Sequence, residues 1–360
     1  MQLFYAMAVM LMITSCGTKN SYTIDGTVAS NEMNGKTVYL YNTEDPSAPV
    51  DSAVVTDNKF TFTGSAAEPW LAMVVSEAFQ MQCIVENGTI NMTNEGIGGT
   101  PLNDKLQGFL TSFNTKDIEI QMEEYIPLYY SATSAEERAA AKRVLDSLEQ
   151  VGNGRMLEAC WKLYNENGDN VLGVMAMQHI SQLGKFTFTQ FDSIVKAASP
   201  LVTENKNVQA KLAQLKAIEA TSAGKHYVDI EGVDSKLSDL IAGKVALVDF
   251  YASWCGPCRN EIKDHLVPLW KKYKDKGLVI VGLNVWERGD AAARKAAHEK
   301  VMTDLGITYP QLVDSTRTAT DTYGVQGIPQ IMLIDKDGTI LARDLRGAAI
   351  EEAIVKALGK

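Results

Sequence analysis

The chain has 360 residues, 46% of them hydrophobic, and a formal net charge of −10 at pH 7. A chain of this length is expected to form more than one domain. The acidic balance argues against nucleic acid as a partner and against attachment to an anionic membrane surface by charge alone.

The chain opens with an apolar run over residues 3–13. These eleven residues are too few to cross a bilayer, which needs about 20, and they are typical of a signal-peptide core. Thr14 and Ser15 then precede Cys16, which resembles a bacterial lipobox. Residues 1–16 are therefore predicted to be a lipoprotein signal peptide that ends in the lipidation site Cys16. The alternative is a plain secretory signal followed by an unrelated cysteine. The segment departs from the usual signal-peptide pattern in one respect, because no Lys or Arg precedes Cys16 although signal peptides normally begin with a basic segment.

Residues 21–98 are predicted to form a small β-sandwich-like domain. Short strand-like runs, several with two-residue alternation, are separated by turn residues. The predicted strands cover residues 21–28, 36–41, 52–55, 59–63 and 79–85.

Residues 99–222 are predicted to be helical. Ser134 and Glu137 have the spacing of a helix capping box. Pro200 and the run of Asn, Asp and Gly at residues 165–170 divide the region into several helices. We interpret it as a connector or a dimer face.

Two cysteines, Cys83 and Cys160, fall in a predicted strand and on an apolar helical face. Each is expected to be a small buried hydrophobic residue. The sequence leaves open whether they form a disulfide, because it gives no distance between them.

The motif Trp-Cys-Gly-Pro-Cys occupies residues 254–258, between a predicted buried strand and an amphipathic helix. Two intervening residues let both sulfurs meet across one helical turn. The free N–H groups at the helix start stabilise a thiolate on Cys255. Cys255 is therefore the expected nucleophile and Cys258 the resolving thiol.

Cysteine pairs of this spacing also occur in zinc sites and in structural disulfides. A closed zinc site needs four ligands, but the remaining cysteines are scattered singly and no two histidines have metal-ligand spacing, so no metal site is predicted. A structural disulfide is disfavoured because closing so short a loop removes little chain entropy.

Residues 226–360 resemble a thioredoxin-fold domain. The resemblance rests on VDFYASWCGPC at residues 248–258 and on YGVQGIPQ at residues 323–330. It implies that Ile328 and Pro329 form a cis-proline loop and line the substrate groove.

The same resemblance assigns Trp254, Gly256 and Pro257 to the substrate groove. It also implies that Asp249 acts as the base for Cys258. Burial in the sheet should raise the pKa of Asp249.

The sequence departs from the thioredoxin pattern at two positions. The lysine that commonly accompanies the buried aspartate aligns with Gly282, and the proline that kinks the active-site helix aligns with Lys263. These departures leave both cysteines of the dithiol in place.

An inserted helix is predicted from Gly289 to about Leu305, followed by a short strand over residues 309–313. Together with Glu261 and the turn at residues 335–338, this insertion resembles the TlpA-like branch of envelope thiol-disulfide oxidoreductases. The N-terminal β segment resembles a module of unknown function that precedes thioredoxin domains in envelope lipoproteins. The expected fold class is multidomain α+β: a small N-terminal β-sandwich, a helical connector and a C-terminal thioredoxin-like α/β domain with an inserted helix and strand.

The lipobox-like residues before Cys16, and the lack of acidic residues directly after it, predict a lipid-anchored, periplasm-facing protein. The thioredoxin resemblance implies an enzyme that reduces protein disulfides through a mixed disulfide and needs no cofactor besides its own dithiol. Apocytochrome c is one implied client, and a membrane electron donor would restore the dithiol. Two alternatives stay open. One is a thiol peroxidase-type enzyme, and the other is a partner-binding lipoprotein whose redox domain is structural.

Overall fold

The computed structural model describes residues 20–113 and 115–359. The chain divides into two compact units. The first comprises Met1–Lys185 with Ala197–Val208, and the second comprises Phe186–Lys196 with Gln209–Lys360. The predicted signal peptide and the predicted lipidation site Cys16 lie outside the described residues.

The first unit begins with two four-stranded sheets. Their strands are β1 Ser21–Thr27, β2 Thr37–Asn42, β3 Asp51–Val54, β4 Lys59–Ser65, β5 Trp70–Val75, β6 Gln80–Val85, β7 Gly88–Thr93 and β8 Gly96–Gly98. One sheet has the order β4-β1-β7-β8 and the other β3-β2-β5-β6. Only the β1–β7 pair is parallel among these described strands. The predicted β-rich N-terminal region is confirmed.

Three of these strands, β5, β7 and β8, were not predicted from the sequence. In β5 the burial pattern does not alternate, because the strand lies within a sheet and buries neighbouring residues such as Leu71 and Ala72. A continuous apolar run lacks the two-residue period by which a half-buried strand is recognised. The strand prediction was therefore incomplete between residues 66 and 98.

Helices follow the eighth strand. They are α1 Pro101–Ser112, α2 Lys116–Ser131, α3 Ala135–Asn167, α4 Val171–Leu183, α5 Phe188–Lys196, α6 Pro200–Thr203 and α7 Lys206–Ala220. The predicted capping box is present at the start of α3, where Ser134 Oγ accepts a hydrogen bond from Glu137 N at 3.1 Å and Glu137 Oε2 accepts one from Ser134 N at 3.1 Å. Within the described part of the chain, no helix is both long and apolar enough to cross a membrane.

Cys83 and Cys160 are both fully buried and do not form a disulfide. Burial raises the pKa of the Cys83 thiol to about 12 and that of the Cys160 thiol to about 11. The expectation that each acts as a small buried hydrophobic residue is confirmed.

The second unit contains a five-stranded sheet of order β11-β10-β9-β12-β13. Its strands are β9 Val245–Tyr251, β10 Leu278–Asn284, β11 Gln311–Val313, β12 Gln330–Ile334 and β13 Ile340–Ala342. Its further helices are α8 Leu237–Ile241, α9 Gly256–Glu261, α10 Val267–Tyr273, α11 Ala291–Leu305, α12 Thr318–Thr322 and α13 Ala348–Leu358. The inserted helix and strand predicted from the sequence are α11 and β11.

Strand β9 is central in this sheet and every one of its residues is buried. It runs parallel to β10 and antiparallel to β12. Alternate residues of β9 contribute to two hydrophobic clusters, one on each face of the sheet. Leu247 and Tyr251 belong to the cluster that also contains Cys255 and Cys258. Asp249 lies between them on the same side of the strand.

The active-site helix is not uniformly α-helical. After α9, a π-helical turn spans Ile262–Leu266 before the chain continues as α10. Lys263, the residue aligned with the expected proline, lies in this turn. Pi-helical turns interrupt the ordinary hydrogen-bond ladder of a helix. The helix is therefore irregular although residue 263 is not a proline. Pro268, which has no backbone N–H to donate, follows the turn at the start of α10.

Candidate active site

The dithiol lies where the central strand β9 gives way to helix α9. Cys255 is the N-cap of α9, and its Sγ accepts a hydrogen bond from Cys258 N at 3.2 Å. Gly256 and Pro257 form the first helical positions, where a proline is favoured because its fixed φ suits a helix and its missing N–H would have no partner there. The two sulfurs are joined as a disulfide, with the Cα atoms 5.3 Å apart.

The two cysteines differ in access to solvent. Cys255 is 5% exposed, whereas Cys258 has no exposed surface. An incoming sulfur atom can therefore reach Cys255 and cannot reach Cys258. The helix N-terminus also provides partial positive charge next to the Cys255 sulfur.

A second loop lies directly beside Cys255. The Ile328–Pro329 peptide bond is cis, and the carbonyl oxygen of Ile328 lies 3.8 Å from Cys255 Sγ. Ile328 and Pro329 are both partly exposed. The structure therefore brings together the two motifs that the sequence separates by 73 positions.

Trp254 lies at the surface beside the dithiol, with 44% of its area exposed. Its Nε1 donates a hydrogen bond to the carbonyl oxygen of Trp286 at 2.9 Å. The guanidinium carbon of Arg288 lies 4.4 Å from the centroid of the indole ring, within the range of a cation–π contact. The loop after β10 therefore orients the tryptophan that flanks Cys255.

Glu287, in the same loop, forms hydrogen bonds with the active-site turn. Its Oε1 accepts hydrogen bonds from Ser253 N at 2.6 Å and from Asn284 Nδ2 at 2.8 Å, and its Oε2 accepts one from Ser253 Oγ at 2.7 Å. Hydrogen bonds to a charged acceptor are stronger than neutral ones. Glu287 thus holds the turn that presents the dithiol against the end of β10.

We expect Glu287→Ala to lower the free energy of unfolding by about 2 to 3 kcal/mol, because it removes a charged acceptor and leaves the buried Asn284 amide without it. Glu299→Ala is a matched control, since Glu299 is exposed and its ion pair with Lys295 spans 3.8 Å. The control should change stability by less than about 0.5 kcal/mol. Urea unfolding of both variants measures the difference, and equal effects would contradict the role given to Glu287.

Asp249 is buried in β9, on the face of the sheet that packs into the cluster containing Cys255 and Cys258, with 1% of its area exposed. Neither carboxylate oxygen has a hydrogen-bond partner among the described residues. Burial raises the pKa of this carboxyl group to about 8, a rise opposed by the charge of Arg346 and increased by that of Glu261. The group is therefore mostly protonated at neutral pH and able to exchange a proton near pH 8.

The position of the missing lysine is filled by another side chain. Gly282 pairs with Asp249 across the parallel strands β9 and β10, as the sequence alignment expects. A Cβ atom on Gly282 would lie 2.5 Å from Oε1 of Gln311. That oxygen accepts a hydrogen bond from the Tyr251 hydroxyl at 2.7 Å. The neutral Gln311 side chain thus occupies space that a longer side chain on Gly282 would need.

The positive charge of Arg346 lowers the pKa of Asp249 and so opposes the effect of burial. The sequence did not point to this residue. Its guanidinium donates hydrogen bonds to the carbonyl oxygens of Pro329 and Leu345. The next residue, Gly347, donates its N–H to Glu261 Oε1 at 2.7 Å. The loop between β13 and α13 is therefore bound both to the cis-proline loop and to helix α9.

No group of three or more potential metal-ligating side chains occurs among residues 20–113 and 115–359. The site described above contains two sulfurs, a buried carboxyl group and the surrounding backbone.

Comparison with known proteins places the chain in a family. Residues 210–343 match the AhpC/TSA family, and residues 22–106 match DUF4369, a domain of unknown function. The thiol-disulfide oxidoreductase ResA of Bacillus thuringiensis subsp. konkukian is 31% identical over 132 residues, which are 37% of this chain and 71% of that protein. The chain belongs to the family of the ResA thiol-disulfide oxidoreductases.

Two further relatives show the extent of the similarity. ResA of Bacillus anthracis is 34% identical over 113 residues, which are 31% of this chain, and the chain spans 61% of the length of that protein. The thioredoxin domain of a thiol-disulfide oxidoreductase from Bacteroides vulgatus is 29% identical, with 38% of this chain and 96% of that chain covered and a TM-score of 0.33. The AhpC/TSA match lies entirely within the second unit.

Sequence reasoning did not single out Glu287, Arg288 or Arg346. A usable signal existed for the first two, because they follow β10, the neighbour of the active-site strand. Functional groups of α/β folds gather beyond the carboxyl ends of adjacent parallel strands. Arg346 has no such signal, since it lies in a loop whose packing against the cis-proline loop depends on the tertiary structure.

Proposed function

We propose that this protein is an envelope thiol-disulfide oxidoreductase that reduces disulfides of client proteins. The observation that carries the proposal is the N-terminal position of Cys255 on α9, with its sulfur 3.8 Å from the carbonyl oxygen of Ile328. A thiolate is stabilised there. The backbone of the cis-proline loop lies beside the Cys255 sulfur, where it can bind an extended client chain during the exchange.

The reaction proceeds in two exchanges. The Cys255 thiolate attacks one sulfur of the client disulfide, the client S–S bond breaks, and the departing client thiolate takes up a proton. Cys258 then loses its proton to the Asp249 carboxylate and attacks Cys255 Sγ, which releases the second client sulfur. The client gains two electrons and the protein is left with the Cys255–Cys258 disulfide.

Each group in the site has one part in this scheme. Cys255 is the nucleophile, Cys258 the resolving thiol and Asp249 the base. Trp254, Gly256, Pro257, Ile328 and Pro329 form the surface against which the client lies. The protein itself needs no cofactor for these steps, because the electrons come from its own dithiol.

The sequence of the active-site motif favours reduction of the client as the direction of electron transfer. The Trp-Cys-Gly-Pro-Cys centre resembles that of thioredoxin, whose potential is about −270 mV, more than that of DsbA at about −120 mV. A dithiol of low potential donates electrons to envelope disulfides. A membrane electron donor would then restore it, and apocytochrome c is a candidate client.

The location rests on the sequence of residues 1–16. A signal peptide ending at the lipidated Cys16 would tether the protein to a membrane, and the absence of acidic residues directly after Cys16 favours the periplasmic side. Mass spectrometry of the protein from membranes would detect the diacylglyceryl-modified Cys16. An unmodified Cys16 or a secreted form without lipid would contradict this part of the proposal.

We expect the reduced protein to reduce the disulfides of insulin at least about 100-fold faster than it reduces hydrogen peroxide, because a peroxidase needs a site that activates the peroxide bond. The two rates are compared by single-turnover kinetics, with the tryptophan fluorescence of the protein as the signal. Faster oxidation by peroxide than by the protein disulfide would favour a thiol peroxidase instead.

A further inference from the structure

A cavity of about 460 Å³ opens beside the cis-proline loop. It is lined by residues 324–330 and by Ile218, Arg343, Asp344 and Arg346. The scheme above uses Ile328 and Pro329 from this wall and leaves the rest of the cavity without a role.

The cavity wall contains a buried hydrogen-bond donor without a partner. Gln330 is 7% exposed, and its Nε2 has no hydrogen-bond partner among the described residues. A buried donor left unsatisfied costs roughly 1 to 3 kcal/mol. This nitrogen has almost no accessible surface, so an acceptor atom in the cavity would contact it only after a movement of the Gln330 side chain.

The charged groups of the cavity favour an anion. Arg343 donates hydrogen bonds to Tyr323 O at 2.7 Å and to Thr221 O at 3.1 Å, and Arg346 donates to the carbonyl oxygens of Pro329 and Leu345. Neither guanidinium forms a salt bridge within residues 20–113 and 115–359. Asp344 is the single carboxylate among the lining residues, so the cavity is lined by two positively charged side chains and one negatively charged side chain.

The planar guanidinium of an arginine matches the geometry of a carboxylate, because two parallel N–H groups can donate to its two oxygens. Arg346 is exposed, and it binds only neutral carbonyl oxygens on the protein itself. Its charge therefore remains available to a ligand.

The cavity is also close to the reacting sulfur. Ile328 belongs to its wall, and the carbonyl oxygen of Ile328 lies 3.8 Å from Cys255 Sγ. A chain in extended conformation advances about 3.3 Å per residue. A client segment whose cysteine is bonded to Cys255 would thus bring a side chain a few residues away to this cavity.

We propose that the cavity is a specificity subsite that takes the carboxylate of an acidic side chain flanking the disulfide cysteine of a polypeptide client. The inference rests on the proposed function, since it names a feature of the substrate of the same site. Arg346 is the residue that selects this substrate.

Paired disulfide peptides test the subsite. A glutamate is placed in turn at each of the four positions on either side of the attacked cysteine, and each peptide is matched with one that has glutamine there. With the wild-type protein we expect kcat/KM to favour glutamate roughly three- to tenfold at one or two positions, the range of a partly exposed charged hydrogen bond. The preference should disappear in Arg346→Gln.

The measured quantity is the ratio of kcat/KM for the two peptides on one protein, so a general loss of activity in a variant cancels. Lys336→Gln is the matched control, because it removes one positive charge at the turn beyond the far end of β12. It should keep the glutamate preference. The rates for glutathione disulfide and for its carboxyl esters are compared in a second experiment. If the free acid is preferred there and no peptide pair shows a preference, the assignment to a polypeptide client is overturned.

The outcomes separate the subsite from the proposed function. If both peptides of every pair are reduced at equal rates, the subsite is absent and the oxidoreductase activity stands. If the preference persists in Arg346→Gln, the assignment of Arg346 is wrong. If neither peptide is reduced, the proposed function itself fails, and the subsite fails with it.

Discussion

Replacement of Cys255 by serine should lower the rate of protein disulfide reduction at least about 1,000-fold, because a serine hydroxyl remains protonated and cannot start the exchange. Replacement of Cys258 by serine should have a different result. Cys255 can still attack the client, but no thiol releases it, so the mixed disulfide accumulates. The difference in access between the fully buried Cys258 and the slightly exposed Cys255 predicts this division of labour.

The two variants are compared by non-reducing electrophoresis and mass spectrometry after incubation with a disulfide-bonded client. Cys160→Ala is the control, because Cys160 is buried and burial raises the pKa of its thiol to about 11. This control should neither trap clients nor lower the rate. Trapping by Cys255→Ser in place of Cys258→Ser would reverse the assigned roles, and trapping by neither variant would contradict the exchange scheme.

Replacement of Asp249 by asparagine should slow the release of the mixed disulfide by about 100-fold near pH 7, since general base catalysis contributes at least this much in favourable cases. Attack by Cys255 on the client should change less. In the wild-type protein the release rate should rise with pH until about pH 8, where the pKa of Asp249 lies. Stopped-flow kinetics at several pH values resolves the two steps.

The same substitution has a consequence for stability. The pKa of Asp249 is about 8 in the folded protein against 3.8 for an ordinary aspartate, so the folded state holds a proton that the unfolded state has released in this interval. The free energy of unfolding must then fall as pH rises from about 4 to 8. Asp249→Asn removes this dependence and should be increasingly stabilising relative to the wild type, by about 3 to 4 kcal/mol more at pH 8 than at pH 5.

Denaturant unfolding of the oxidised proteins at pH 5 and pH 8 measures this difference, because the disulfide-bonded Cys255 and Cys258 do not titrate. A stability difference independent of pH would mean that Asp249 ionises at its ordinary pKa. A pH-independent release rate in the wild type would separately contradict its part as the base.

The sequence was most informative where local rules decide the structure. The placement of Cys255 at a helix start follows from a buried strand, a turn and an N-terminal proline, all within about a dozen residues. The inserted helix α11 and the capping box before α3 were likewise visible in short segments. The burial of Asp249 followed from its position in an apolar strand, and its raised pKa agrees with that expectation.

The sequence was least informative where contacts join distant segments. Glu287 contacts Ser253 across 34 positions, and Gly347 contacts Glu261 across 86. No local pattern encodes such pairs, because they depend on the order of strands in the sheet and on loop packing. The missing lysine at position 282 was recognised, but the Gln311 side chain that fills its place comes from the inserted strand β11.

The reduction potential of the Cys255/Cys258 couple tests the central claim most directly. It is measured on the protein that begins after residue 16, by equilibration with thiol-disulfide buffers of known potential. We predict a value below about −230 mV, which is required of a protein that donates electrons to envelope disulfides. A value near −120 mV would contradict the reductase assignment and indicate that the protein forms or isomerises disulfides instead.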